Sequence, residues 1–256
     1  MHVVVTGASS GIGEAIVREY VRRDALVTLV ARRRDLLEKI ASEASSGRTH
    51  IVQADLADRA HAFTWIDNAE RALGPVDVLV NNAGVQIVKG AAETEWSDGE
   101  RLLLLDLHVP LRLTQIVLRR MIARKGGGAI VDIASMAGLA PTPGMFFYNA
   151  AKAGLAAASE GLRAEVKKHG IHVVTVYPGP VTSAMETAAR NAYEDTAGAK
   201  RAPTGTAKVL AQLVADAVDR RTDRVIYPRV YGLVRHFPNF SRWAVDSFTP
   251  PLKRGE

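Results

Sequence analysis

Short runs of β-branched and aliphatic residues alternate along the chain with longer stretches whose apolar residues recur every three or four positions. The runs are His2–Thr6, Leu26–Ala31, His50–Ala54, Val76–Val80, Ala129–Ala134, His172–Tyr177 and Arg224–Tyr227. Between them lie amphipathic stretches such as Ile12–Arg23, Ala57–Leu73 and Phe147–His169. The runs are apolar nearly throughout, so both of their faces are buried, as in a parallel sheet covered by helices. Strand–helix alternation at this spacing predicts a doubly wound α/β fold with seven parallel strands, helices on both faces and right-handed crossovers. No low-complexity linker and no repeat of 20–50 residues interrupts the pattern. One domain over residues 1–228 is expected, with an appendage at 229–256. In that appendage Val230, Leu233, Val234 and Phe237, then Phe240, Trp243, Ala244 and Phe248, fall at helical spacing, and Pro238 separates two short helices.

Composition adds limits. The chain has 256 residues, 47% hydrophobic and 23% charged, with a mean hydropathy of zero. A chain this long can bury roughly 70–75% of its unfolded surface, enough for a core without covalent staples. It has no cysteine, which excludes disulfides, a thiol nucleophile and thiolate metal sites and predicts a reducing, cytoplasmic setting. No apolar run approaches the ~18–20 residues of a membrane span, and the start lacks the basic n-region of a signal peptide. The histidines are scattered, and no metal site is expected.

Charge is uneven. Residues 1–199 carry 22 Lys/Arg and 22 Asp/Glu, whereas residues 200–256 carry 11 and 5 and supply the whole net charge of +6. Six of the fifteen aromatics lie in that last stretch as well. Three readings follow: packing on the domain or on a second subunit, a greasy cap over a substrate entrance, or peripheral contact with an anionic membrane. Nucleic acid is not expected, because a basic balance without a recognition fold is weak evidence.

The first run leads into Thr6-Gly7-Ala8-Ser9-Ser10-Gly11-Ile12-Gly13, a tight glycine turn that opens a helix. Gly7 permits the turn, Gly11 clears space for a pyrophosphate, and Gly13 brings the helix close to the sheet. The helix start then offers free N–H groups to the phosphates. An acidic residue after the second strand would select NAD. Here Arg32-Arg33-Arg34 stands there instead. Cations suit a 2′-phosphate, so NADP(H) is expected over NAD(H), with Arg32 as the candidate contact. Further on, Tyr148 and Lys152 stand four apart on one helical face. Acid–base work near neutrality needs a phenol's pKa brought down from about 10, and a neighbouring ammonium can do part of that.

With these residues in view, the sequence resembles the short-chain dehydrogenase/reductase family, whose fold is of the Rossmann type. The glycine loop matches its cofactor loop, Asp55-Leu56 its adenine-side pair, and Asn81-Asn82-Ala83-Gly84 its motif after the fourth strand. Ser135 stands thirteen residues before Tyr148, Tyr148 and Lys152 match the Tyr-x-x-x-Lys pair, and Tyr177-Pro178-Gly179-Pro180-Val181 matches the loop beside the nicotinamide. The resemblance implies that Tyr148 exchanges a proton with the substrate oxygen, that Lys152 holds the nicotinamide ribose and depresses the phenol's pKa, and that Ser135 orients the carbonyl. It implies cofactor contacts at Thr6, Gly7, Ser9, Ser10, Gly11, Ile12, Gly13, Arg32, Asp55, Leu56, Asn81, Ala83, Gly84, Tyr148, Lys152, Pro178, Gly179 and Val181. Ser183 takes the place of a threonine that contacts the carboxamide. Residues 184–203 correspond to a mobile substrate lid, and a homodimer or homotetramer is implied.

One position departs from the family. Asp106 aligns with its catalytic asparagine. A carboxylate there could pair with Lys152, cancel part of its field and slow turnover. Alternatively Pro110, which has no N–H, frees the Asp106 carbonyl to hold a relay water, and activity survives. Acyl-carrier-protein ketoreductases of the family end soon after the seventh strand with an Asp/Asn-Gly-Gly motif, which this chain lacks. The expected substrate is therefore a small lipophilic carbonyl or alcohol. The competing readings are an NADP(H)-binding regulatory protein with weakened catalysis and a membrane-associated scaffold.

Overall fold

The computed structural model describes residues 1–194 and 203–253. Seven strands form one sheet: β1 (His2–Thr6), β2 (Leu26–Ala31), β3 (Thr49–Gln53), β4 (Val78–Asn81), β5 (Gly128–Ile133), β6 (Ile171–Pro178) and β7 (Arg224–Tyr227). Their spatial order is β3-β2-β1-β4-β5-β6-β7, and every pairing is parallel. The order reverses between β1 and β4. Connections leave that point in opposite directions and open a crevice at the carboxyl ends of the strands, where α/β sheets bind ligands.

Strand alternation assigns the two cores. Val3 and Val5 face one side, where α1 (Gly11–Arg22), α2 (Arg34–Ala41) and α8 (Ala207–Asp219) bury Ile16, Leu37, Leu210 and Val214. Val4 faces the other, against α3 (Ile66–Leu73), α5 (Val109–Arg124) and α6 (Phe146–Val166), which bury Ile66, Leu113, Val117 and Val166. Both faces of β1 are dry, which is why its sequence shows no polar alternation. Arg23, just past α1, clamps α8 by pairing with Asp216 and Asp219 at 2.6 Å each.

The expected helix over 57–73 begins only at Ile66. Asp55 Oδ1 accepts the Ala57 N–H at 2.9 Å and Asp58 Oδ1 the Ala60 N–H at 3.0 Å. Such short side-chain-to-backbone bonds hold the chain in turns and compete with helix formation. A second irregularity sits between α4 (Trp96–Leu103) and α5, where Leu104–His108 widens into a π-helical turn. Pro110 cannot donate to the Asp106 carbonyl, and the Val109 N–H reaches back five residues to the Leu104 carbonyl.

Beyond β7 come a short 3₁₀ turn (Arg229–Gly232), α9 (Leu233–His236) and α10 (Pro238–Phe248), the two helices divided at Pro238. Tyr231 and Val234 pack against buried Tyr177 and Ala134. Glu160 of α6 ties this segment down. It accepts from Arg224 at 2.6–2.7 Å, Arg235 at 2.9 Å and the Tyr177 hydroxyl at 2.7 Å. The arginine bonds hold its carboxyl far below the ordinary glutamate range. Of the expected lid, α7 (Ala184–Asn191) and Tyr193 are placed, and residues 195–202 lie outside the described residues. Among the described residues, no helix is long and apolar enough to cross a membrane.

Backbone packs closely where α1 leaves β1. A methyl group on Gly13 would overlap both the Gly7 carbonyl and the Asn82 amide. Backbone cannot yield there as a flexible side chain would, so Gly13→Ala should cost about 1–3 kcal/mol of stability. Urea unfolding checks this, with Gly161→Ala of α6, which meets open space and should gain up to about 1 kcal/mol from helix propensity, as the control for the substitution itself.

Candidate active site

The glycine loop is built by positive backbone angles and by a neighbour. Gly7 and Gly11 have φ of +67° and +59°, the left-handed region that only glycine enters freely. Asn82 Nδ2 donates to the Thr6 carbonyl at 2.9 Å, while the Thr6 hydroxyl accepts from the Asn82 and Ala83 amides at 3.0 and 3.1 Å. The end of β1 is thereby stitched to the loop after β4. Ser10, at the helix start, makes no side-chain cap, which leaves the first amides of α1 available to an anion. Across the loop, Arg33 donates to the Ser9 and Ser10 hydroxyls at 3.0 and 2.9 Å. Arg32 beside it is exposed.

From this loop a cleft of about 520 Å³ runs along the strand ends, a volume typical of small-molecule and cofactor sites. Arg32, Asp55 and Leu56 lie at one end, and Met145, Met185 and Glu186 at the other. A Cβ on Gly11 would come within 3.8 Å of Ser183 on the opposite wall. An elongated cradle with a glycine turn, bare helix amides and two arginines at one end fits a dinucleotide.

At the middle of the cleft α6 presents Tyr148 and Lys152 one turn apart, both largely buried. Ser135, between β5 and a 3₁₀ turn, lines the same cleft as Tyr148 and is one of the groups that lower the phenol's pKa, and its hydroxyl accepts the Ala137 N–H at 3.1 Å. Lys152 Nζ donates to the Ile133 carbonyl at 3.1 Å and lies 5.7 Å from the Tyr148 ring centroid. It also lies 3.2 Å from Asp106 Oδ2, an ion pair whose alignment is too poor for a directed hydrogen bond. The other oxygen, Oδ1, accepts the Val85 N–H at 2.8 Å. The Asp106 carboxylate is fully buried and packs on Gly84, where an added Cβ would meet Oδ2 at 2.7 Å.

This arrangement sets the charges. Burial pushes the Tyr148 phenol above its ordinary value; Lys152 pulls it down, and Asp106 pushes it back up. The depression expected from Lys152 is present as a contribution but does not prevail. Burial disfavours the Lys152 charge, yet Asp106 above all holds the ammonium above its usual pKa. Burial also pushes the Asp106 carboxyl upward, against Lys152 and the Val85 amide. A second carboxyl, Asp132 of β5, is pushed up to about 6 by burial. It accepts from Asn81 at 2.8 Å and feels the Lys152 charge.

All the candidate residues named from the sequence line the cleft except Thr6, Gly13 and Asn81. Thr6 and Gly13 shape the loop from behind. Asn81 turns inward to Asp132 and Thr114, the latter at 2.9 Å, so its amide braces the sheet end. Ser183 lines the cleft and also caps α7, accepting the Glu186 N–H at 3.1 Å. Sequence reasoning named Arg33 and Asn82 only within their motifs and passed over Gln86, Met145, Glu186 and Asp132. Only Asp132 carried a usable signal, as an acid inside an otherwise apolar strand.

Asp132 generates a pH prediction. Its folded pKa of about 6 exceeds the ordinary 3.8, so the folded state keeps a proton that the unfolded chain releases. Stability is therefore complete below pH 3.8 and falls as pH rises through 6, by about 3 kcal/mol at most. Asp132→Asn abolishes that loss, so the variant's stability relative to wild type should climb between pH 4 and 8. Chemical denaturation at the two pH values measures it.

The family model for short chain dehydrogenase matches residues 1–194. Over 253 residues the chain is 34% identical to a fatty acyl-CoA reductase of Mycobacterium tuberculosis, covering 97% of this chain and 80% of that protein. It is 31% identical over 228 residues to a ketoacyl reductase of Nostoc, covering 88% and 77%. Among solved structures, a short-chain dehydrogenase from Streptomyces avermitilis superposes with a TM-score of 0.81 at 28% identity, covering 96% of each chain. Another from Sphingobium yanoikuyae, in complex with NADPH, gives 0.80 at 28% identity over 100% and 98%. With its parallel sheet, glycine loop and Ser135, Tyr148 and Lys152 gathered at one cleft, the chain belongs to the short-chain dehydrogenase/reductase family of NAD(P)-dependent oxidoreductases.

Proposed function

We propose that this protein is an NADP(H)-dependent oxidoreductase that interconverts a lipophilic carbonyl compound and its alcohol. The observation that carries the reading is the convergence of Ser135, Tyr148 and Lys152 on the cleft, beside a chamber bordered by three methionines, Met136, Met145 and Met185. Methionine side chains are apolar and adaptable, and suit flexible greasy substrates. The fatty acyl-CoA reductase and ketoacyl reductase among the relatives support the same substrate class.

The residues take these roles. Tyr148 gives its proton to the carbonyl oxygen in reduction and removes it from the alcohol in oxidation. Ser135 steadies that oxygen with its hydroxyl as charge develops. Lys152 holds the ribose and supplies the field that favours tyrosinate. A nicotinamide bound in the cleft supplies or accepts the hydride. Arg32 and Arg33 hold the 2′-phosphate; Arg32 makes no side-chain hydrogen bond among the described residues, and Arg33 already bends toward the phosphate loop. Asp55 and Leu56 border the adenine end. Exposed Trp96, Leu111 and Phe146 on α4–α6 support a homodimer or homotetramer. The exposed aromatic face of α10 supports packing on a second subunit more than a membrane role, because Arg235 and Arg242 are already paired with Glu160 and Asp246.

The Asp106–Lys152 contact favours a second reading, a cofactor-binding protein whose chemistry is muted. One experiment separates the two. NADPH and NADH oxidation is followed against steroid, retinoid, long-chain acyl and aromatic carbonyls, with Tyr148→Phe and an Arg32→Ala/Arg33→Ala double variant alongside. The expected outcome is at least tenfold preference for NADPH that disappears in the double variant, and turnover that falls at least a hundredfold in Tyr148→Phe while NADPH binding persists. Tight NADPH binding without turnover of any carbonyl would establish the regulatory reading instead.

A further inference from the structure

Two contacts from the carboxyl-terminal segment and one from the end of α7 meet on one short loop. That loop, Pro141–Met145, joins the Ser135 turn to α6 and delivers Met145 and then Tyr148 to the cleft. Arg242 of α10 donates to the Pro141 carbonyl at 2.5 Å. The Tyr193 hydroxyl, at the end of the lid helix α7, donates to the Pro143 carbonyl at 2.7 Å. Leu252 seats its methyl groups on Gly144, where any Cβ would meet them at 2.9–3.1 Å and where φ is +83°.

These contacts are joined to one another. Tyr193 and Leu252 form an isolated antiparallel bridge. It is closed by Glu194 N–H to the Pro251 carbonyl at 2.9 Å and Lys253 N–H to the Ala192 carbonyl at 3.0 Å. Tyr193 is buried, and burial holds its phenol up to about 12, so it stays a donor. Leu252 and Tyr193 share one apolar cluster with Met145, Phe147 and Tyr148. On the inner side the loop is held by Lys89 N–H to the Gly144 carbonyl at 2.8 Å and by paired bonds between Thr142 and Asn149. The loop is thus fixed to the catalytic helix from within and to the chain's end from without.

We propose that the segment Pro251–Lys253 is a clasp that fastens the lid helix to the loop Pro141–Met145, with Leu252 and Tyr193 as positioning residues for the outer wall of the substrate chamber. The chamber's far end lies between two walls, Met145 on the loop and Met185 and Glu186 on α7. The clasp sets the distance between these two walls, because it joins the end of α7 to the loop's turn. Large carbonyl substrates that span both walls depend on it, and small ones that touch only Ser135 and Tyr148 do not. The proposal rests on the carbonyl oxidoreductase reading for its effect on turnover, but the clasp itself is read without any turnover.

The test uses the full chain, Leu252→Asp, Leu252→Met, Tyr193→Phe and a chain ending at Thr249. Tryptic cleavage after Arg190 is followed by mass spectrometry, next to the thermal midpoint and NADPH affinity by fluorescence. In Leu252→Asp and the shortened chain, cleavage should accelerate more than tenfold while NADPH affinity changes less than twofold, and Leu252→Met should behave as wild type. Tyr193→Phe should accelerate cleavage to a smaller degree. In turnover, KM for a long-chain carbonyl should rise about tenfold in Leu252→Asp, with kcat nearly unchanged and a small carbonyl unaffected. Unchanged cleavage in both Leu252→Asp and the shortened chain would overturn the clasp, as would cleavage that rises only in step with loss of NADPH binding and a collapsed midpoint. Altered cleavage with no carbonyl turned over would uphold the clasp and count against the functional reading alone.

Discussion

A buried ammonium organises the centre of this molecule. Lys152 is almost wholly removed from water, a position that an unpaired charge could not hold. The Ile133 carbonyl, the Asp106 carboxylate and the field of Asp132 stabilise it there. Each of those partners sits at the carboxyl end of a strand or in the π turn opposite. The sheet end, the widened turn and α6 must therefore come together for the charge to be satisfied. That convergence also sets Tyr148 beside Ser135. The Asp106 carboxylate that makes the ammonium tolerable also opposes its influence on the phenol, so the stability of the site and the acidity of its tyrosine are in tension.

The cleft on either side of that centre follows from backbone constraints. Gly7, Gly13 and Asn82 lie so close that no Cβ fits at either glycine, and Asn82 locks β1 to β4 where the sheet reverses direction. A helix start is thereby aimed into the crevice. The arginines after β2 lie within reach of the same loop. At the opposite end three methionines and α7 border an apolar chamber. The chain's last described residues return to fasten that chamber from outside, which makes the basic, aromatic segment part of the site's architecture.

Much of this was legible in the sequence because the signals were local and strongly patterned. Apolar runs located all seven strands, with shifts of one or two residues at β3 to β6. The glycine turn, the Tyr–Lys spacing and the departure at Asp106 could each be read from a few adjacent letters. Other features depend on distant partners and left no local trace. The helix expected from residue 57 is shortened by aspartate-capped turns that compete with it. Asn81 resembles a ligand in the sequence, yet its amide turns inward to Asp132 and Thr114. Within the Arg32-Arg33-Arg34 run, Arg33 is singled out only by its bonds to Ser9 and Ser10. The clasp joins Leu252 to Gly144 and Tyr193, and no periodicity could reveal that contact.

By offsetting Lys152, Asp106 raises the pH at which the Tyr148 phenol ionises. The direct test is the pH dependence of kcat/KM for alcohol oxidation in wild type and in Asp106→Asn, because oxidation requires the ionised phenol. Removing the carboxylate should move the midpoint of the rise down by at least about one unit, equivalent to a tenfold gain near neutrality. A midpoint that stays in place, or moves upward, would contradict the claim and leave Asp106 with no part in the acidity of Tyr148.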